Sequence, residues 1–377
     1  MRRRTKPRRG QVLYLTLFFL TGSLALAALA IDLGYIMVAR TQLQRTADAA
    51  ALAGCWELVD QDALVAPTSS YTLAANARQR SRGYAAWNPV LANGPEVPDS
   101  DVEVGHLANP SNPGESIDFF NNKQNAVRVT IRRDDIANGD VKLLFGPFLG
   151  RNMISLEAQA TAALRYNFGG FRLAAGEENL GILPFALDRQ TWNNMRNYGI
   201  GTDDWTWNAE EQRVEWGPDG ILEVNLYPQG TGSPGNRGTV DIGPSNNSTA
   251  DIARQILHGL NAADLEAMGG KVELNEYGEL ELNGDTGISA GVKDELESIK
   301  GKPRVIPIFS SVVGPGNNAQ YTIVEFAGVR IMEVKLTGKM SGKRVIIQPC
   351  NVVIRGGIPR ETSETSHFIY SPVWLVR

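Results

Sequence analysis

QVLYLTLFFLTGSLALAALAI, residues 11–31, contains no charged residue and is followed at once by Asp32. In lipid only internal hydrogen bonds can satisfy the backbone, so a span takes about 20 apolar residues in helical form. This run just meets that length. Arg2, Arg3, Arg4, Lys6, Arg8 and Arg9 precede it with no acidic residue among them. Asp32, Arg40, Arg45, Asp48 and Glu57 follow it, a nearly balanced set. The cationic end stays in the cytoplasm, so the chain after the span is exported. The run exceeds the roughly 7–15 residues of a signal-peptide core, which favours an uncleaved anchor. Cleavage is the other reading, because Ala25-Leu26-Ala27 and Ala28-Leu29-Ala30 each fit an Ala-x-Ala pattern loosely.

The helix is expected to continue beyond Asp32. No proline occurs between Gln11 and Val65, and Ile36, Leu43, Ala47, Ala50, Gly54 and Leu58 fall on one helical face. That face is rich in alanine and glycine and permits close packing. A helix from Gln11 to about Leu58 would be on the order of 70 Å long at 1.5 Å per residue.

Charge narrows the function further. The 377-residue chain has 37 basic and 41 acidic residues, and six of the basic ones lie before Gly10, so the remainder is near −10. Nucleic-acid binding needs a basic surface, which argues against that class. Cys55 and Cys350 make neither a disulfide scaffold nor a CxxC metal site. Outside the cytoplasm one bridge between them is chemically permitted, subject to geometry.

The ordered set Arg8-Arg9-Gly10-Gln11-Val12, the apolar run, Ala30-Ile31-Asp32-Leu33-Gly34-Tyr35, Ala39-Arg40-Thr41-Gln42-Leu43-Gln44 and Ala47-Asp48-Ala49-Ala50-Ala51-Leu52-Ala53-Gly54 resembles the N-terminal region of TadG-like Flp-pilus (tight adherence) assembly proteins. It covers about the first 55 residues. Val127 to Arg133, Phe145-Gly146-Pro147-Phe148-Leu149-Gly150 and Glu157 to Ala162 look like the periplasmic part of such proteins. The resemblance implies a non-catalytic role at the inner membrane, with Tad machinery or pilin as partners and no cofactor. Pilin-like members of that system carry a glutamate five residues after the cleavage-site glycine. Counting from Gly10, this chain has Leu15 there. That departure weighs against processing and incorporation into a filament.

The fold class expected is α+β: one N-terminal transmembrane helix extended into the periplasm, then a mixed and finally β-rich exported body. The divisions expected are a basic cytoplasmic segment (1–10), the membrane helix (11–31), its extension (32–60), an α+β periplasmic region (61–166), a mixed Trp-rich region (167–265) and a β-rich C-terminal domain (266–377). Within these, a helix is expected near Tyr71–Tyr84, and Val127, Val129 and Ile131 alternate as in a half-buried strand. Ile154–Leu164 reads as a further strand, and Asn167-Phe168-Gly169-Gly170 as a boundary. Ser248 caps a helix carrying Ile252, Ile256, Leu257 and Leu260 on one face. Val272 and Leu274 with Leu280 and Leu282 flank Asn275–Gly278 as in a β-hairpin, and a short helix follows near Val292–Ile299. Arg304–Phe309, Tyr321–Phe326, Val329–Leu336, Arg344–Ile354 and Phe368–Val376 read as strands.

Candidate chemistry is sparse. Asp285-Thr286-Gly287 matches the aspartic-protease triplet, but that chemistry needs a second carboxylate from a second lobe and no second triplet occurs, so a turn is the better reading. Asp241-Ile242-Gly243-Pro244-Ser245 faintly resembles an Asp-x-Ser-x-Ser cation site, with Gly243 in place of an oxygen ligand. His106, His258 and His367 lack ligand spacing. Trp192, Trp205, Trp207 and Trp216 could form a sugar platform; core and interface roles are the commoner fate of such clusters. Asp32 at the membrane boundary reads either as an interfacial charge or as a group that caps or pairs with a partner. No catalytic, cofactor-binding or metal residue is assigned. The leading function is a membrane-anchored pilus-assembly component acting by protein contacts. A minor pilin-like filament subunit and an anchored extracytoplasmic ligand-binding protein or hydrolase are the alternatives.

Overall fold

A computed structural model describes residues 11–112, 114–226, 237–244, 248–285, 289–314, 319–339, 342–361 and 363–376. It shows a long apolar N-terminal helix followed by a β-rich body with helices, a mixed α+β chain. Two compact units are formed. The first comprises residues up to Leu58, Ser70–Ala163 and the segment from Trp374; the second comprises Val59–Ser69 and Leu164–Val373.

In the first unit, helix α1 (Gln11–Trp56) is continuous for 46 residues. Its second half is amphipathic in the way its spacing requires. Ala39, Leu43, Ala47, Ala50, Ala51 and Cys55 are fully buried, while Arg40, Thr41, Gln44 and Arg45 face outward. The buried stripe packs on helix α2 (Ser70–Trp87) and on strands β2 (Ala126–Arg133) and β5 (Leu156–Ala163). With β1 (Val102–Gly105) and the strand Trp374–Leu375 these make a four-stranded antiparallel sheet in the order β1, β2, β5, 374–375. Polar side chains fix the helix on its bed: Thr46 Oγ donates to the Asn88 carbonyl at 2.9 Å, and the Gln42 side-chain oxygen accepts the Leu91 amide at 2.8 Å.

Small residues set the α1–α2 spacing. Ala74, Ala77, Ser81 and Ala85 are the buried positions of α2. A Cβ on Gly54 would stand 2.0 Å from Ser81 Oγ and 2.9 Å from the Ala77 carbonyl oxygen. Only glycine admits the approach.

The second unit is built on an eight-stranded sheet. Strand 319–335 pairs with 280–285 on one side and with 304–313 on the other. Strand 185–188 joins 304–313 in parallel and 237–240 antiparallel, and 237–240 returns to 280–285. The ring therefore closes on itself, which removes edges along that circuit. Successive residues of a strand face opposite sides, so Val305 and Ile306 enter different apolar clusters. One cluster gathers Trp192 and Met195 of α3 (Arg189–Tyr198), Ile252 and Ile256 of α4 (Thr249–His258), and, beyond α5 (Ala262–Ala267), Leu296 of α6 (Lys293–Ser298). The other holds Phe168, Phe171, Phe309, Tyr321 and Phe326.

Several local expectations meet a different partner in the folded chain. The turn at Asn275–Gly278 forms, with the Asn275 amide bonded to the Glu279 carbonyl, but its flanks do not pair as a hairpin. Val272 pairs with Phe171, and Leu280 with Ile323. The two runs Tyr321–Phe326 and Val329–Leu336 belong to one 17-residue strand, buried on both faces through Ala327 and Gly328. Phe168-Gly169-Gly170-Phe171, at the expected boundary, is a buried strand near the start of the second unit, and Gly170 lies so close to Val272 and Glu273 that a side chain there would collide. Ile369–Tyr370 pairs with Val352–Val353, whereas Trp374–Leu375 leaves for the first unit. Ser248 does cap α4, accepting the Asp251 amide.

Candidate functional site

The exposed half of α1 and the point where it ends form the most distinctive surface of the chain. Val12 to Leu26 carry leucine, phenylalanine and tyrosine side chains at 57–75% exposure, with no apolar partner over most of the length. This helix is long and apolar enough to cross a membrane. Asp32 is the first buried residue along the helix, although Leu33, Met37 and Val38 beyond it are still exposed. Asp32 is 4% exposed. Its Oδ1 accepts the Leu144 amide at 2.9 Å, and the Phe145 amide lies 3.2 Å from Oδ1 and 3.1 Å from Oδ2. Of the two sequence readings, the pairing one describes Asp32, but the partner is backbone 112 residues further along the same chain. A carboxylate with two amide donors is satisfied where a bare charge would be costly.

The Asp32 clasp holds a short ribbon. Strands β3 (Val141–Lys142) and β4 (Met153–Ile154) pair antiparallel, and the Leu143 amide donates to the Asn152 carbonyl. Between them a 3-10 turn runs over Gly146–Leu149 with Pro147 in its first turn, and Gly150 closes it at φ +79°. Gly146 is required there, since a Cβ would lie 2.1 Å from the Arg151 carbonyl oxygen. Leu144, Phe148, Leu149 and Met153 all project outward, Phe148 at 88% exposure. Leu149 lines a groove shared with Phe18, Phe19, Gly22, Leu26 and Leu29 of α1.

The alanine- and glycine-rich face of residues 36–58 is not available to partner helices. Its own α2 and sheet cover it. Most of the free apolar surface of α1 lies N-terminal to Asp32 instead, and Leu33, Met37 and Val38 continue it.

The remaining candidates are occupied by ordinary structural duties. Trp192 is wholly buried in the core. Trp205 meets Trp216 edge-on at 5.2 Å and lies under Lys300, while Trp207 carries Arg330 at 5.2 Å. Among the four only Trp216 is largely exposed, so no aromatic platform forms. Asp285 is a strand residue opposite Thr239; Thr286 and Gly287 lie outside the described residues, as do Ser245, Asn246 and Asn247. Cys55 and Cys350 are buried free thiols, one in each unit, and burial pushes both thiols up. Among the described residues, no group of three or more His, Cys, Asp or Glu could hold a metal ion. His106 donates from Nδ1 to the Lys123 carbonyl, and His258 closes the last turn of α4.

Sequence reasoning missed a buried charged network around Glu325 and His367. His367 Nε2 lies 2.9 Å from Glu325 Oε2, Arg189 Nε 2.7 Å from Glu325 Oε1, and Arg196 Nη1 2.7 Å from His367 Nδ1. Arg196 only donates, so His367 accepts at Nδ1 and donates from Nε2 to Glu325. These four groups are brought together from sequence positions up to 178 apart, and no local motif announces them.

Asp241 is a group whose titration bears on stability. Burial, then the negative charge of Asp251, push its carboxyl from 3.8 up to about 6. Its Oδ1 has no hydrogen-bond partner. The folded state therefore holds a proton that the unfolded state releases, and stability falls as pH rises from about 4 to about 6. Asp241→Asn is expected to gain about 1 kcal/mol at pH 7, discounted for partial exposure, and little at pH 4. Urea unfolding at the two pH values checks this; an equal effect at both would remove the titration argument.

Residues 10–77 match the Tad family model, described as "Putative Flp pilus-assembly TadE/G-like". No curated protein and no solved structure matches the chain. The matched segment contains all of α1, the Asp32 clasp residue and the first part of α2.

Proposed function

We propose that this chain is a membrane-anchored, non-catalytic component of Flp pilus assembly, held in the inner membrane by residues 11–31 with its N-terminus cytoplasmic and both folded units outside. The observation that carries the reading is the family match over residues 10–77. The bare apolar half of α1 supports it, because exposed leucine and phenylalanine side chains on that scale need a nonaqueous surrounding. The body acts by binding pilin or other parts of the assembly machinery.

A strain lacking the protein is expected to be bald when surface pili are counted by electron microscopy, and the restored gene to return them. Normal pili in the deletion strain would remove the assembly role.

A second reading has its own support. The same bare helix would be buried equally well by neighbouring copies in a filament. Leu15 in place of an acidic residue weighs against it. N-terminal sequencing separates the two: a mature chain starting at Gln11 favours the filament subunit, and an intact Met1 the resident anchor.

A further inference from the structure

We propose that the ribbon tip at residues 144–149 is a second membrane-contacting element, inserted into the outer leaflet beside α1 and covered by lipid acyl chains. The proposal rests on the anchoring reading given above.

Three observations carry it. The first is continuity. Leu149 lines one groove with Leu26 and Leu29 of the apolar helix. The groove runs from Leu29 to Phe18, roughly 3 to 20 Å inside Ile31 at 1.5 Å per residue, and its outer part covers the depth of about 5–10 Å usual for interfacial elements. The tip therefore stands at a level that lipid, not water, would fill.

The second is composition. Leu144, Phe148, Leu149 and Met153 are exposed together on one small ribbon, and the exposed cations Lys142 and Arg151 flank them. An apolar tip with cations at its base suits acyl chains below and phosphate headgroups above.

The third is the backbone. Irregular chain can enter a bilayer only when its polar groups are satisfied internally. Here the Leu144 and Phe145 amides go to Asp32, Phe148 donates to Phe145, Gly150 to Pro147, and Arg151 to Gly146. Pro147 has no N–H to satisfy. The clasp and these turns thus take up five of the tip's amides and lower the cost of placing it in lipid.

The test uses the full chain, one copy per nanodisc of zwitterionic and anionic phospholipid. An environment-sensitive fluorophore is placed singly at Phe148→Cys, at Leu144→Cys as a second tip site, at Leu20→Cys in the helix, and at Tyr277→Cys in the second unit. The natural cysteines are buried and stay unlabelled in the folded protein. Lipids carrying a nitroxide near the head of the acyl chain are expected to lower emission at 148 and 144 about twofold, with the mid-chain nitroxide less effective, as interfacial depth requires. Position 20 should show the reverse preference, and 277 no quenching. If 148 and 144 behave like 277 while 20 is quenched, the tip proposal is overturned and the anchor stands. If 20 is also unquenched, the anchoring reading itself falls. Tip labels that leave water only when the pilus machinery is present in the membrane would assign the surface to a protein and equally overturn the lipid assignment.

Discussion

Gly54→Leu is expected to cost the first unit about 3 kcal/mol or more, the upper range for forcing bulk into a packed contact. The site has no slack. The nearest atom to a new Cβ is Ser81 Oγ at 2.0 Å, which can rotate away, but the Ala77 carbonyl at 2.9 Å is backbone and cannot. The helices must part, and parting them uncovers Ala50, Ala51 and Cys55, which lie on the same stripe. Hydrogen exchange of the β2 and β5 amides reads the loss directly, because those strands form the bed of α1. Gly54→Ala in a Ser81→Ala background should be less damaging than the two single changes summed, since one removes the atom that the other strikes. Unchanged protection in Gly54→Leu would mean that the helices are not held at this spacing.

Glu325→Ala is expected to destabilise the second unit by about 3–5 kcal/mol, the cost of removing one partner from a buried ionic contact. Glu325 and His367 are 6% and 7% exposed at their side chains, whereas Arg189 is half exposed and can return to water. The loss therefore falls mainly on His367, left with Arg196 and, at 3.5 Å from its Nδ1, the exposed Glu364. Glu325→Gln keeps an acceptor and should cost less. Burial works to raise the Glu325 carboxyl, but the hydrogen bond from His367 and the charges of Arg189 and Arg196 outweigh it and hold it below its usual value. A depressed carboxylate contributes stability above its unfolded pKa and loses it as pH falls through the folded one. The gap between wild type and Glu325→Gln should therefore narrow on acidification below about pH 4.5. A gap independent of pH would assign the loss to packing alone.

The long helix was legible because its signal is local: no proline, one apolar stripe, and a change of character at a single charged residue. The cap at Ser248 was legible for the same reason. What the sequence could not carry was pairing at a distance. The turn at Asn275–Gly278 looks like a hairpin from its own residues, yet the competing strands at Phe171 and Ile323 lie on either side of it in space. Asp32 could be recognised as a charge needing a partner, but its partners are amides, which any residue type supplies, so Leu144 and Phe145 carry no mark of the contact. The same holds for Glu325 and His367, which meet only because strand 366–367 lies beside 326–327.

The strand Trp374–Leu375 has a consequence for the timing of biogenesis. It completes the sheet that α1 lies on by pairing with Ala162 and Ala163, although more than 200 residues separate them along the chain. Until those late residues have been synthesised, β5 keeps a bare edge at Thr161–Ala163, a ready template for wrong pairing. The first unit is the earliest to emerge and among the last to be sealed. A stalled or clipped chain would thus advertise itself through that open edge, so the fold carries its own report of whether the chain has been finished.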